Sequence, residues 1–209
     1  MSKELVKRIL SSIILLPLVF YFLTSGSFLL ILFIVLCFII TFYEWNKMNK
    51  NKFYKIFGII FLLFSFYTFY HLSIELFLLI YVILICISTD IGGYIFGKIF
   101  KGPKLTTISP NKTYAGMIGG YLLSLICLIV ITNFIDYSIK TFQLILITIL
   151  LSTVSQVGDI IVSYFKRQAN IKNTSNLIPG HGGLLDRIDG MIFAVPALYL
   201  IELIGYIKI

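Results

Sequence analysis

The sequence predicts an all-α fold, a polytopic helical integral membrane protein with about seven transmembrane helices and two long cytoplasmic loops. Three observations support this prediction. Of the 209 residues, 59% are apolar or aromatic and 12% are charged, against roughly 25% charged in soluble domains. The mean hydropathy is +1.00. The apolar stretches are continuous and close to the ~20 residues of a membrane-spanning helix, whereas a β-barrel would show alternating strands of about 10 residues.

Residues 1–89 are predicted to hold four transmembrane helices. The first span follows the basic segment Lys3–Arg8 and precedes Thr-Ser-Gly-Ser, so it also resembles a signal peptide. Nothing downstream looks exported, so we favour a retained helix. Glu44 and Trp45 directly follow the second span and are interpreted as a pair at the membrane boundary. The four spans are Ile9–Leu23, Phe28–Tyr43, Phe53–Tyr70 and Leu72–Thr89.

Residues 90–209 are predicted to hold three more spans and both long loops. The spans are Tyr114–Thr132, Phe142–Val162 and Met191–Ile207, and the loops are Asp90–Thr113 and Ser163–Gly190. The loops on the other face are short, and function is found in loops more often than in spans. We therefore predict a single membrane domain, 1–209, whose C-terminal part carries the chemistry in two motifs, at 90–113 and 155–190.

Four glycines near the first long loop predict close helix packing. Gly93 and Gly97 are four residues apart, as are Gly116 and Gly120, and small residues at this spacing let membrane helices approach each other. The glycines do not indicate a phosphate loop, because neither Gly-x-Gly-x-x-Gly after a strand nor a Walker sequence is present.

The basic charge is explained by membrane topology. The chain has 17 Lys and Arg against 9 Asp and Glu, a formal net charge of +8, which in a soluble protein would suggest nucleic acid. If the N-terminus is cytoplasmic, every basic residue except Lys140 and Lys208 lies on or beside that face, as the positive-inside rule requires. We therefore expect a lipid bilayer and no nucleic acid as partner. Cys37, Cys86 and Cys127 fall inside spans and are interpreted as packing residues.

Three carboxylates in or beside the second long loop are candidate metal ligands. Asp159 lies near the end of the sixth span, where an ionised carboxylate is costly and therefore usually functional. Asp186 and Asp189 share one face if a helix begins near Gly183. Hard oxygen ligands of this kind suit Mg²⁺, which takes one or two carboxylates and completes its shell with water and substrate phosphates.

Basic residues surround these carboxylates, as a di- or triphosphate substrate requires. The Pro179–Gly183 turn would also present backbone N–H groups to an anion. Ordinary interpretations stay open: Lys166 and Arg167 could anchor the end of a span, and His181 could be an exposed turn residue. The charged residues of 186–189 could simply pair and cap a helix. The basic residues are Lys166, Arg167, Lys172, His181 and Arg187.

Both loops resemble one known family. Ser163-x-x-Lys-Arg167, then Lys172, then Ile178-Pro-Gly-His-Gly-Gly-Leu-Leu-Asp-Arg-Ile-Asp189 closely resembles the signature of the phosphatidate cytidylyltransferase (CDP-diacylglycerol synthase) family. The first loop is similar to the other cytoplasmic motif of that family, through Asp90, Gly93-Tyr94, Gly97-Lys98 and Ser109-Pro-x-Lys-Thr113. The resemblance covers residues 90–209, while the earlier residues match only as generic spans.

The resemblance implies a membrane nucleotidyltransferase of phospholipid biosynthesis. Such an enzyme condenses CTP with phosphatidic acid, releases pyrophosphate and leaves CDP-diacylglycerol in the membrane. It further implies Mg²⁺ as cofactor, leaves a second metal or K⁺ open, and suggests a homodimer. The expected location is the inner (cytoplasmic) membrane, with multiple passes and with the N-terminus and the active site on the cytoplasmic side.

The resemblance also implies a role for each matching residue. Asp159 and Asp186 would bind the metal, and Asp189 would support them. The phosphates of the two substrates would be served by Lys166, Arg167, Lys172, His181 and Arg187. The remaining substrate-binding positions would be Asp90, Ser109, Lys112, Thr113, Ser163, Gly182 and Gly183.

Three positions depart from the family pattern, and two other functions stay open. Asn173, Val162 and Ala115 stand where the family commonly has acidic residues, which leaves open a catalytically weakened lipid-binding relative. In a small membrane transporter, Asp159 would instead be a coupling or pore residue. Transport sites lie near the midplane between repeats. Here no repeat is detected and the carboxylates gather at one face, so surface chemistry is favoured.

Overall fold

A computed structural model describes residues 17–25, 27–133, 141–180 and 182–206. These residues form helices and connecting loops and contain no β-strand. The all-α prediction is therefore confirmed. The helices are α1 (residues 17–24), α2 (Ser27–Met48), α3 (Lys52–Ile74), α4 (Leu76–Phe100), α5 (Tyr114–Thr132), α6 (Thr141–Gln168), α7 (Leu185–Ile188) and α8 (Met191–Leu203).

Five of the described helices, α2 to α6, are long and apolar enough to cross a membrane. Together they make this a multi-pass membrane protein. The count of seven spans stays a prediction. The first predicted span, Ile9–Leu23, lies largely outside the described residues. The last one corresponds to α8, which has 13 residues with Pro196 inside and is shorter than the ~20 residues that span a bilayer.

Both long loops are shorter than predicted, because α4 and α6 continue past the end of their apolar stretches. Asp90 lies inside α4, which ends only where Lys101 (φ 52) and Gly102 (φ 94) adopt the left-handed conformation. Ser163 lies inside α6, and the helix ends shortly before Asn170 (φ 57). Backbone hydrogen bonding carries a helix through polar residues until such a conformation ends it. The loops are therefore 101–113 and 169–184.

The chain forms two compact units, the first comprising Met1–Ser73 and Phe165–Ile188, the second Ile74–Tyr164 and Asp189–Ile209. In the first unit, Trp45 of α2 packs edge-to-face on Phe165, with ring centroids 4.9 Å apart. Its indole N–H donates to the carbonyl of Tyr54 at 3.2 Å. The indole also fills the space that a side chain at Gly58 would need. These contacts fix the chain immediately before Lys166.

In the second unit, α4 and α5 pack through their glycines, as predicted from the spacing. A Cβ on Gly92 would overlap the carbonyl of Gly119, and one on Gly116 would lie 2.7 Å from the carbonyl oxygen of Gly93. Hydroxyl groups join α4 to α6, among them Thr89, which donates to Ser152 at 2.9 Å. The three cysteines are free and lie in α2, α4 and α5, as expected for packing residues.

Candidate functional site

The 169–184 loop of the first unit is closed by glycines at its tip. Ile178 and Gly182 exchange two backbone hydrogen bonds, of 2.8 and 3.1 Å, around the turn between them. Gly180 (φ 78) and Gly182 (φ 92) lie in the left-handed region, which side-chain-bearing residues rarely adopt. Arg167 donates to the carbonyl of Ile171 at 3.1 Å, at the start of the loop. The residues on both sides of His181 are therefore held in a defined conformation.

Asp186 is the centre of the polar contacts in this loop. Lys166 donates to Oδ1 at 2.9 Å. Oδ2 accepts from the amides of Thr174 (2.8 Å) and Gly183 (3.0 Å) and from the Thr174 hydroxyl (3.1 Å). The side chains of Lys166 and Asp186 are 10% and 5% exposed, so the ion pair is almost excluded from water.

The pKa of Asp186 lies below its ordinary value of 3.8. Burial of the carboxyl group raises the pKa, but the hydrogen bonds from Lys166, Gly183 and Thr174 and the charge of Lys166 together lower it by more. Asp186 is therefore a carboxylate throughout the neutral pH range.

Glu44 of α2 is a further carboxylate of the first unit, and it contacts the same loop. Its side chain accepts from the hydroxyls of Thr174 (3.0 Å) and Ser175 (2.6 Å) and from the amides of Leu184 (3.0 Å) and Leu185 (2.8 Å). The residue is 1% exposed. The sequence does not predict this burial, and the interpretation of Glu44 and Trp45 as a pair at the membrane boundary stays a prediction.

In the second unit, Asp159 of α6 is paired with Lys112. The Lys112 ammonium lies 2.6 Å from Oδ2, and the Ser163 hydroxyl donates to Oδ1 at 3.2 Å. The side chains of Lys112 and Asp159 are 24% and 28% exposed. Lys112 is held in the 101–113 loop by its amide, which donates to the carbonyl of Ser109 at 3.0 Å. Thr113 caps α5 by accepting from the amide of Gly116 at 3.1 Å.

The predicted site residues thus fall into two groups, one in each unit. Lys166, Gly183 and Asp186 meet in the first unit, beside Gly182; Ser109, Lys112, Thr113, Asp159 and Ser163 lie together in the second. Asp189 is buried and accepts from the amide of Gly190, at 3.0 Å. Exposed positions are occupied by Asp90, Arg167, Lys172 and Arg187. His181 lies outside the described residues, and the roles of all these residues stay predictions.

The carboxylates present suit a magnesium ion in number and chemistry. Within the described ranges, no three His, Cys, Asp or Glu side chains come together. A cation would therefore have one or two carboxylates, which is the number that Mg²⁺ takes when water and phosphate oxygens complete its shell. Asp159 is partly exposed, whereas Oδ2 of Asp186 already accepts three hydrogen bonds, so Oδ1 is the freer oxygen of that residue.

The fold and the contacts of both loops define a class, that of helical multi-pass membrane proteins with lysine–carboxylate pairs at polar loops. Comparison with known sequences gives the family within this class. Residues 6–77 and 53–204 match the sequence model of the cytidylyltransferase family. Because these segments cover most of the chain, it belongs to that family.

Bacterial relatives share more than two-fifths of their residues with this chain over the matched part. A phosphatidate cytidylyltransferase of Staphylococcus haemolyticus is 44% identical over 124 residues, which are 59% of this chain and 48% of the relative. Proteins of the same name from Staphylococcus saprophyticus and Staphylococcus aureus are 42% and 41% identical over the same lengths. The chain spans about half the length of the curated relatives it matches.

Proposed function

We propose that this protein transfers the cytidylyl group of CTP to phosphatidic acid, giving CDP-diacylglycerol and pyrophosphate. The observation that carries the proposal is the Ile178–Asp189 segment. It resembles the signature of the family to which the chain belongs, and two of its residues, Gly183 and Asp186, are hydrogen-bonded to each other beside Lys166. The names of the relatives support the same reaction.

The proposed reaction needs no nucleophile from the protein. A phosphatidate oxygen is already anionic at pH 7 and attacks the α-phosphorus of CTP in line. The new phosphorus–oxygen bond forms as the bond from the α-phosphorus to the bridging oxygen breaks, and pyrophosphate leaves with that electron pair. The protein therefore has to position two anions and reduce their repulsion.

Basic side chains of both groups are suited to that task. Lys166 is a nearly buried cation on the last turn of α6, and Lys112 is a partly exposed cation beside Asp159. Exposed cations at Arg167, Lys172 and Arg187 could follow the phosphates as the substrates bind. A cation in a site that excludes water stabilises developing negative charge more strongly than one in bulk solvent.

Mg²⁺ is the proposed cofactor, with Asp159 and Asp186 as its protein ligands and Asp189 as support. When bound, it would neutralise part of the phosphate charge. A second metal or K⁺ stays compatible with this arrangement. The protein would lie in the cytoplasmic membrane with its N-terminus and both loops on the cytoplasmic side, as a homodimer. CTP would then arrive from water and phosphatidate from the leaflet, and neither would cross the bilayer.

Conversion of radiolabelled CTP into chloroform-soluble lipid by the detergent-purified protein tests the proposal. With phosphatidate and Mg²⁺, labelled CDP-diacylglycerol is expected, and omission of the metal should remove it. Asp186→Ala should abolish labelling. Glu75→Gln is the matched control, since Glu75 is exposed and its side chain makes no capping hydrogen bond with α4. A folded protein that yields no labelled lipid would refute the proposal for this chain.

If the folded protein yields no labelled lipid, the positions that depart from the family pattern are the first candidates for the loss of activity. Val162 is apolar and only 1% exposed, so it offers neither charge nor contact to a substrate. Asn173 is exposed, and its side chain lies beside Gly182 at the loop tip. If the unsubstituted protein is inactive and Asn173→Asp restores turnover, the protein is a catalytically weakened lipid-binding relative. If the unsubstituted protein is active, Asn173→Asp should change its turnover only modestly.

A further inference from the structure

We propose that Glu44 is a positioning residue, which holds the 169–184 loop in the arrangement that orients Asp186 and Lys166. The inference rests on the proposed cytidylyl transfer, in which these two residues belong to the site. Glu44 lies on α2, far from the motifs in sequence, and no role in the resemblance falls on it.

Each oxygen of the Glu44 carboxylate accepts one hydrogen bond from the chain before the glycine turn and one from the chain after it. Oε1 accepts from the Ser175 hydroxyl (2.6 Å) and the Leu184 amide (3.0 Å), while Oε2 accepts from the Thr174 hydroxyl (3.0 Å) and the Leu185 amide (2.8 Å). One donor of each pair precedes the glycine turn and the other follows it. The carboxylate therefore closes the base of the turn with three charge-assisted hydrogen bonds and a fourth that competes with Asp186 for the Thr174 hydroxyl proton. Charge-assisted hydrogen bonds are about twice as strong as neutral ones.

Thr174 connects Glu44 to Asp186. Its hydroxyl oxygen lies 3.0 Å from Oε2 of Glu44 and 3.1 Å from Oδ2 of Asp186, and its amide donates to the same Oδ2 at 2.8 Å. Lys166 completes the series by donating to Oδ1 of Asp186 at 2.9 Å. A displacement of Glu44 would therefore reach the Lys166–Asp186 pair through one residue.

The same end of α2 also contacts the chain before Lys166. Trp45, the residue after Glu44, packs on Phe165, the residue before Lys166. Two successive residues of α2 thus contact the chain next to each member of the pair. Glu44 accepts from the amide of Leu185, the residue before Asp186, and Trp45 packs on the residue before Lys166. A carboxylate with 1% exposure in an apolar helix is costly unless its hydrogen bonds are satisfied. Here three donors belong to the 169–184 loop and the fourth is Leu185, the first residue of α7, so the burial of this charge depends on the loop's arrangement.

The test compares Glu44→Gln with Glu44→Asp, and Glu75→Gln serves as the control for the loss of an acidic charge. Glutamine keeps the shape of glutamate, but its NH₂ group cannot accept from a backbone amide. In Glu44→Gln we expect kcat per folded enzyme to fall about 100-fold, because at least one charge-assisted hydrogen bond is lost and one amide is left unpaired. The KM for CTP should change less than about threefold. Glu44→Asp should recover part of kcat.

A second readout does not depend on activity. In Glu44→Gln, amide hydrogen exchange over residues 174–185 should be at least tenfold faster than in the unsubstituted protein, and in Glu75→Gln it should be unchanged. A purely structural role would lower the yield of folded protein and leave kcat per folded molecule unaltered, which would overturn the proposal. Unchanged kcat together with unchanged exchange would overturn it as well.

Thr174→Val supplies a milder variant in case Glu44→Gln does not fold. It removes the hydroxyl that lies between the two carboxylates while keeping the side-chain volume, and about a tenfold loss of kcat is expected. Wild-type kcat in Thr174→Val would contradict the route through Thr174. If the unsubstituted protein makes no CDP-diacylglycerol, the cytidylyl transfer fails, and the exchange measurement still decides whether Glu44 holds the loop.

Discussion

Substitution of Gly183 by alanine tests whether the arrangement of the 169–184 loop controls turnover. Gly183 follows the two left-handed glycines of the turn, but its own φ lies outside that region, so its backbone admits alanine. The added Cβ would overlap the Thr174 hydroxyl and lie 2.5 Å from Oε1 of Glu44. The effect of the substitution is therefore purely one of space.

The distances give the magnitude. An ordinary Cβ contact is 3.4–4 Å, so the Glu44 carboxylate must move by roughly 1 Å, and a hydrogen bond of 3.0 Å stretched that far is no longer one. The Thr174 hydroxyl would lose the hydrogen bond that its single proton makes with Glu44 or Asp186, and the Leu184 amide would lose Oε1 of Glu44. Each is a hydrogen bond to a charged group, of about 1.5–3 kcal/mol. Taking the lower figure for both, about 3 kcal/mol, the expected loss of turnover is about 100-fold.

The assay is incorporation of label from CTP into lipid, with Gly93→Ala as the control. A Cβ on Gly93 would meet only the carbonyl oxygen of Gly116, at 3.8 Å, so this variant should label lipid at the rate of the unsubstituted protein. Hydrogen exchange over residues 174–185 should rise in Gly183→Ala alone. If Gly183→Ala retains turnover within a factor of two, the contacts of Gly183 do not govern the site and the reasoning fails.

Three other predictions follow from the same contacts. Because the pKa of Asp186 is depressed in the folded protein, its contribution to loop order is complete above its ordinary value and is lost as the pH falls through the folded one. Amide exchange of the loop, corrected for its intrinsic pH dependence, should be constant from about pH 7 to 5 and rise only below about pH 4; a rise near pH 6 would contradict this. Gly92→Ala should lower the unfolding temperature in detergent, since its Cβ would overlap the backbone of α5 and such overpacking costs about 1–3 kcal/mol, while Gly93→Ala should leave it unchanged. Lys112→Met should reduce labelling at least tenfold, and unchanged labelling would remove Lys112 from the site. The unfolding temperature should shift little, because a partly exposed ion pair such as Lys112–Asp159 contributes about 1 kcal/mol or less to stability.

Local patterns predicted much of the fold and the loop residues around the Lys166–Asp186 pair, but not the part that α2 contributes. Continuous apolar stretches predicted α2 to α6, and the glycine spacing predicted the close approach of α4 and α5. The ends of α4 and α6 were missed because hydropathy falls before the helix ends. At those ends, the backbone conformations of Lys101 and Asn170 leave no mark in a hydropathy pattern.

Glu44 was missed because its partners are distant along the chain. Between 130 and 141 residues separate it from the four donors, and no periodicity or spacing reports a contact of that range. One signal was available. Glu44 directly follows an apolar stretch, and the argument that singled out Asp159, the cost of a carboxylate beside the hydrocarbon, could have been extended to Glu44.

That separation has a consequence for biosynthesis. At about 5–20 residues per second, a ribosome needs roughly 7–28 s to make the 141 residues from Glu44 to Leu185. During that interval α2 carries a carboxylate whose partners do not yet exist. Glu44 lies only four residues before the end of α2 at Met48, where water and lipid headgroups can solvate it. A glutamate near the helix midpoint would have to wait in hydrocarbon, so its place near the end suits a contact that forms late.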